Sequence, residues 1–120
     1  MDSPSLEAFG MSAPLPISHP LPPRRLCLLL TVDRRSPIFT RFLETLKERS
    51  ACGDDIYLYC IDEGVREVEM LLPRAGPRLR LFACAYAAMR RSLPRNAAVT
   101  YGGLGLLADL ILGTGEFLAF

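Results

Sequence analysis

The order of segments predicts an α/β fold: a five-stranded parallel sheet with helices on both faces. Three observations carry this expectation. Apolar runs with the length of buried strands recur along the chain, stretches with helical spacing follow them, and glycine or proline closes most stretches. Strands alternating with helices at this spacing require right-handed crossovers, which leave the strands parallel. In such sheets ligands and chemistry gather at the carboxyl ends of the strands.

Leu26 to Val32, LCLLLTV, lies between Arg24-Arg25 and the segment Asp33 to Pro37, and its unbroken apolar character predicts a first, central strand. Ser36 followed by Pro37 reads as a helix cap with proline at the first helical position. Ile38, Phe39, Phe42, Leu43 and Leu46 then form one apolar stripe through to Arg49, with Gly53 as the stop. Asp55 to Cys60, DIYLYC, is the second strand. Asp62, Glu63 and Gly64 break it, and Val65 to Leu72 is expected as a short helix ended by Pro73. Leu79, Leu81 and Ala83 alternate with Arg80 and Phe82 in a third strand, which runs into Cys84 and a helix from Ala85 stopped by Pro94. Ala97 to Tyr101 gives a fourth strand. Leu104 to Ile111 gives a helix apolar over most of its circumference, suited to core or subunit interface, and Glu116 to Phe120 a fifth strand.

Met1 to Pro23 holds six prolines and no sustained periodicity, so it reads as a disordered lead before one domain over 24–120. Half of the 120 residues are hydrophobic. No apolar run approaches the roughly 20 residues of a membrane helix, so buried subunit contacts are the expected use of that surplus. A net charge of +1, with both signs dispersed, lacks the basic footprint of a nucleic-acid binder. With no secretion signal, a reducing cytoplasm is the expected compartment.

The four cysteines form no CxxC pair, and the single histidine, His19, sits in the lead, so no metal site and no Cys/His hydrolase is expected. Cys27 lies inside a strand, where cysteine serves as a small hydrophobe. Cys52 falls near a helix stop. Cys60, Cys84 and Gly102 all fall at carboxyl ends of strands. Cys84 stands out because it marks a strand-to-helix junction, where unpaired backbone N–H groups favour an anion and hence a thiolate. Gly102, Gly103 and Gly105 lack the lysine and spacing of a nucleotide loop and read as turn chemistry.

The run Leu81 to Pro94, LFACAYAAMRRSLP, followed by YGGLGLLADLI from Tyr101 and by the closing FLAF, resembles the DsrE/TusD-type sulfur-transfer subunits. Their pattern is an apolar strand, cysteine, small residues, a basic pair, a GLGxL helix start and a terminal strand ending in phenylalanine. Asp62-Glu63-Gly64-Val65 stands where that family has an acidic residue and Gly-Val after its second strand. The resemblance covers Leu26 to Phe120. It departs from the family's pattern in having no tryptophan, Ser92 where glycine commonly follows the basic pair, and Gly115-Glu116 where Asp-Arg is usual.

The resemblance implies a three-layer α/β/α domain, flavodoxin-like in outline, that assembles into trimers or hexamers or with sister subunits. It further implies that Cys84 accepts sulfane sulfur as a persulfide and exchanges it with a small DsrC/TusE-type carrier protein. Sister subunits generally lack this cysteine, so the chain resembles the active kind. Such a sulfurtransferase needs no metal or organic cofactor. Arg90 and Arg91 are expected either as cations suiting a helix end or as partner-docking groups. Cys60 is expected as strand packing or as a second redox partner. The alternative function is a noncatalytic structural or small-ligand-binding subunit of the same fold, in which Cys84 is packing.

Overall fold

A computed structural model of the chain describes residues 23–120. The expected proline-rich lead, His19 included, lies outside the described residues except for Pro23. The elements run in order β1 (Arg25–Leu30), α1 (Ile38–Ala51), β2 (Asp55–Cys60), a 3₁₀ segment (Asp62–Glu67), α2 (Val68–Leu71), β3 (Leu79–Cys84), α3 (Ala85–Arg90), β4 (Thr100–Gly102), α4 (Leu104–Gly113) and β5 (Glu116–Ala119). They build one five-stranded sheet in the order β4-β3-β2-β1-β5, with every neighbouring pair parallel.

The middle of that sheet is β2, not β1 as its unbroken apolar run suggests. The run is nevertheless explained, because β1 is paired on both edges and Leu26, Cys27, Leu28 and Leu30 are all fully buried. Three successive crossovers step from β1 to β4 in one direction, and the fourth returns to the free edge of β1. Right-handed connections therefore place α1, the 62–74 helical segment and α3 on one face and α4 by itself on the other.

The first face holds the main core, where the ladder rows Leu26-Ile56-Leu79 and Leu28-Leu58-Leu81 meet Phe39, Phe42 and Leu46 of α1. Ile38 drops out of the expected stripe at 40% exposure. Pro37 and not Ser36 is the residue immediately before α1, but Ser36 still serves the helix start, its Oγ accepting from the Ile38 N–H at 3.2 Å, and Gly53 ends the segment in the left-handed region at φ 79°.

Two elements differ from expectation. The expected helix over Val65 to Leu72 begins earlier, as a 3₁₀ segment from Asp62, and becomes α-helical only over Val68–Leu71. Tight turns of this kind let Gly64 sit directly against the end of β1. The fourth strand is Thr100–Gly102 and not Ala97 to Tyr101, because pairing with β3 starts only where Thr100 meets Phe82.

Helix α3 ends in a paired cap: the Ser92 N–H donates to Met89 O at 3.0 Å and the Leu93 N–H to Ala88 O at 3.0 Å. This cap demands a left-handed residue, and Ser92 adopts φ 53°. The position where the resembled family commonly carries glycine is thus one at which a Cβ is strained. Ser92→Gly is expected to stabilise the fold by about 1 kcal/mol, read as a higher urea midpoint at unchanged m-value.

Candidate functional site: the Cys84 cleft

Cys84 is the residue at which β3 passes into α3. Its backbone is still extended, and its Sγ accepts from the Ala87 N–H at 3.4 Å, as the expected junction requires. The residue is 7% exposed and lines a cleft of about 470 Å³, together with Asp62, Glu63, Arg66, Arg90 and Arg91. The carboxyl ends of β2 and β3 thus deliver both walls, one from the Asp62–Glu67 segment and one from α3.

Glu63 organises the charge. It accepts from Arg66 Nε at 2.5 Å and from Arg91 Nη2 at 2.7 Å and Nε at 3.1 Å, and these guanidinium groups, Arg66 first, hold its carboxyl below the usual range. Arg91 also donates to Ala87 O at 3.2 Å, so it ties α3 to the Asp62–Glu67 segment across the cleft. Arg90 behaves differently. Its Nη1 donates to the Tyr86 hydroxyl at 2.8 Å and its guanidinium lies 5.6 Å from that ring's centroid, while among the described residues it has no carboxylate partner. The basic pair therefore divides into a structural arginine and one open to an incoming anion.

An adjoining hollow of about 410 Å³ shares Arg66 and adds Asp33, Arg34, Arg35 and Glu67. Its remaining charges are matched internally. The buried Glu67 takes Arg34 Nη2 at 2.8 Å and the Arg34 N–H at 2.9 Å, and Asp33 takes Arg35 Nη2 at 2.6 Å.

The other cysteines are elsewhere. Cys60 is opposite Ala83 in the ladder, so its side chain enters the main core while Cys84, one residue further on, takes the other side. Burial first, and the charge of Glu67 second, push the Cys60 thiol up to about 12. Burial raises Cys27 to about 11. Cys52 is exposed at the end of α1. Cys60 is thus fully buried, with a thiol held well above its ordinary range, the surroundings in which a cysteine packs as a small hydrophobe.

Of the glycines, Gly102 packs against the start of α4, where a Cβ would lie 2.6 Å from Leu106 Cδ2, the movable end of a side chain, and 3.0 Å from Leu106 Cβ. Gly103 caps α4, its carbonyl accepting from the Leu106 and Leu107 N–H groups at 3.1 and 3.3 Å. Sequence reasoning missed Glu63 as the hub of the cleft and Tyr59, whose hydroxyl donates toward the carbonyls of Gly103 and of Gly102, the ladder partner of Cys84. Both flank the end of β2, a position shared with Cys60 that could have drawn notice to them.

No protein-family model and no curated protein matches the sequence. Among solved structures, the chain is similar to the YchN protein of E. coli, at 18% identity over 82% of this chain and 99% of that one, with a TM-score of 0.57. It is similar also to MTH1491, a protein of unknown function from Methanobacterium thermoautotrophicum, at 13% identity over 81% of this chain and 99% of that one, with a TM-score of 0.63. At these identities the likeness is one of fold. The chain has a five-stranded, all-parallel α/β fold, which it shares with these two proteins.

Proposed function

We propose that this chain is a sulfur-relay subunit, in which Cys84 accepts sulfane sulfur as a persulfide and yields it to the thiol of a partner protein. The observation that carries the reading is the placement of Cys84: among the four cysteines, it stands at the carboxyl end of a sheet strand, lines a charged cleft and receives a backbone N–H on its sulfur. In the loading step the Cys84 thiolate attacks the outer sulfur of a donor persulfide. The donor's S–S bond breaks, its inner sulfur leaves as a thiolate, and Cys84 becomes the persulfide. In the unloading step an acceptor thiolate attacks the outer sulfur of that persulfide and Cys84 leaves as the thiolate, with no net redox change.

The partner is a small carrier protein of the DsrC/TusE type, and Arg90 is the docking cation, since Arg91 is held by Glu63. The chain self-associates or joins sister subunits through the α4 face of the sheet. No residue of α4 is fully buried, and Leu104, Leu112 and Phe117 are 68%, 84% and 40% exposed, a surplus of apolar surface that assembly would cover.

Incubation with a low-mass persulfide donor followed by intact mass measurement is expected to show one added sulfur on the wild type and none on Cys84→Ala. A wild type that gains no sulfur, or a variant that gains as much, overturns the reading.

A further inference from the structure

Tyr59 is the bulkiest side chain in the fold with no exposure to solvent. It belongs to β2, yet its hydroxyl reaches the carbonyls of Gly103 at 3.1 Å and Gly102 at 3.3 Å, at the end of β4. Since β3 lies between β2 and β4, the phenol must pass over the end of β3 to get there. That end is Cys84: Gly102 is its ladder partner, and Tyr59 pairs with Phe82, two residues before it and on the same face. The hydroxyl thus lies over the sulfur's side of the sheet. Both contacts to carbonyl oxygen are longer than the usual 2.7–2.8 Å of an O–H···O bond, and one proton serves two acceptors. Neither bond fixes the direction of the hydroxyl.

We propose that Tyr59 is a positioning residue for Cys84: its hydroxyl rests on the Gly102 and Gly103 carbonyls while the sulfur is a thiol, and turns its proton onto the sulfur when the sulfur becomes a thiolate or persulfide anion. The proposal deepens the sulfur-relay reading and rests on Cys84 being the reacting sulfur. A sulfur anion that is nearly buried needs more than the single Ala87 N–H, and a donor that rotates supplies the second bond only when charge is present. The phenol keeps its proton through the range in which thiolates form, because burial first, then the charge and hydrogen bonding of Cys84, push it up to about 12. No other titratable group is asked to move a proton. Cys60, the next residue along β2, is fully buried, and alternation along the strand turns its side chain to the opposite face of the sheet.

The test is the rate of Cys84 alkylation by iodoacetamide against pH in the wild type, Tyr59→Phe and, as a control on the same strand face, Tyr57→Phe. Tyr59→Phe is expected to react more slowly by about threefold or more near neutral pH and to reach the wild-type rate on the alkaline plateau, where the thiolate is fully formed. Tyr57→Phe, whose exposed hydroxyl accepts from Arg80, is expected to follow the wild-type profile. A Tyr59→Phe profile that superimposes on the wild type overturns the proposal.

Should Tyr59→Phe fail to fold, carbon NMR of the labelled phenols in the unaltered chain decides. The Tyr59 ring-oxygen carbon is expected to shift as Cys84 ionises and to lose that step in Cys84→Ala; a resonance that stays put overturns the proposal. Neither measurement uses a persulfide, so failure of Tyr59 and failure of the relay reading are told apart.

Discussion

Gly64→Ala is expected to cost roughly 3 kcal/mol or more of stability, the range of a substitution that forces backbone apart. A Cβ at Gly64 would lie 2.1 Å from the carbonyl oxygen and 2.8 Å from the carbonyl carbon of Leu30, the last residue of β1. Neither neighbour is the end of a flexible side chain. Leu30 O already accepts from the Ile61 N–H at 2.9 Å, and the Gly64 N–H donates to Ile61 O at 2.9 Å, so the methyl would be driven into the bonds that hold the Asp62–Glu67 segment on the sheet. The adjoining Glu63 would move with it, releasing Arg66 and Arg91 and opening the Cys84 cleft. Urea unfolding followed by circular dichroism measures the loss. Gly105→Ala is the matching control, because it lies within α4 with nothing within 4 Å of its Cβ position, and it is expected to leave stability unchanged or raised.

Arg49→Ala is expected to cost about 3 kcal/mol, the scale seen when one member of a buried ion pair is removed. Arg49 is 12% exposed and donates from Nε to Asp54 at 2.6 Å and from both terminal nitrogens to Glu116, at 2.6 and 3.0 Å. It thereby fastens the end of α1 to the start of β5, and its loss leaves the buried Asp54 carboxylate without its cation. The same network sets a pH dependence. Hydrogen bonds from Arg49, then from Arg24, lower the Glu116 carboxyl from 4.5 to about 2. A carboxyl depressed on folding stabilises fully above its unfolded value, because there both states are ionised. As pH falls from 4.5 toward about 2, the unfolded chain takes up the proton first and that contribution is lost. Stability curves of wild type and Arg49→Ala are therefore expected to lie farthest apart above pH 4.5 and to converge below it.

The apolar run of β1, the Ser36 hydrogen bond at the start of α1 and the glycine stop after it were legible because they depend on residues close in sequence. Cys84 at the foot of α3 was legible for the same reason, since the change from alternating to helical spacing falls on that residue. The 3₁₀ turn at Asp62 was hidden because its cause is the end of β1, more than thirty residues away. The short reach of β4 was hidden because a strand ends where its neighbour stops pairing, whatever its own propensity. Glu116 replaces the resembled family's basic residue, and its partners, Arg24 and Arg49, are distant in sequence.

By itself the sequence determined that this chain folds as a parallel α/β sheet with a cysteine at the carboxyl end of its third strand, because periodicity and punctuation are local properties of a chain. Only the tertiary structure decided that Arg91 is bound by Glu63 while Arg90 has no carboxylate partner among the described residues, that Cys60 is buried in the core while Cys84 borders a cleft, and that the Tyr59 hydroxyl crosses β3 to reach the carbonyls of Gly102 and Gly103. These outcomes follow from which strand ends the crossovers bring together and which face each side chain takes, and both are set by pairing between segments far apart in the chain.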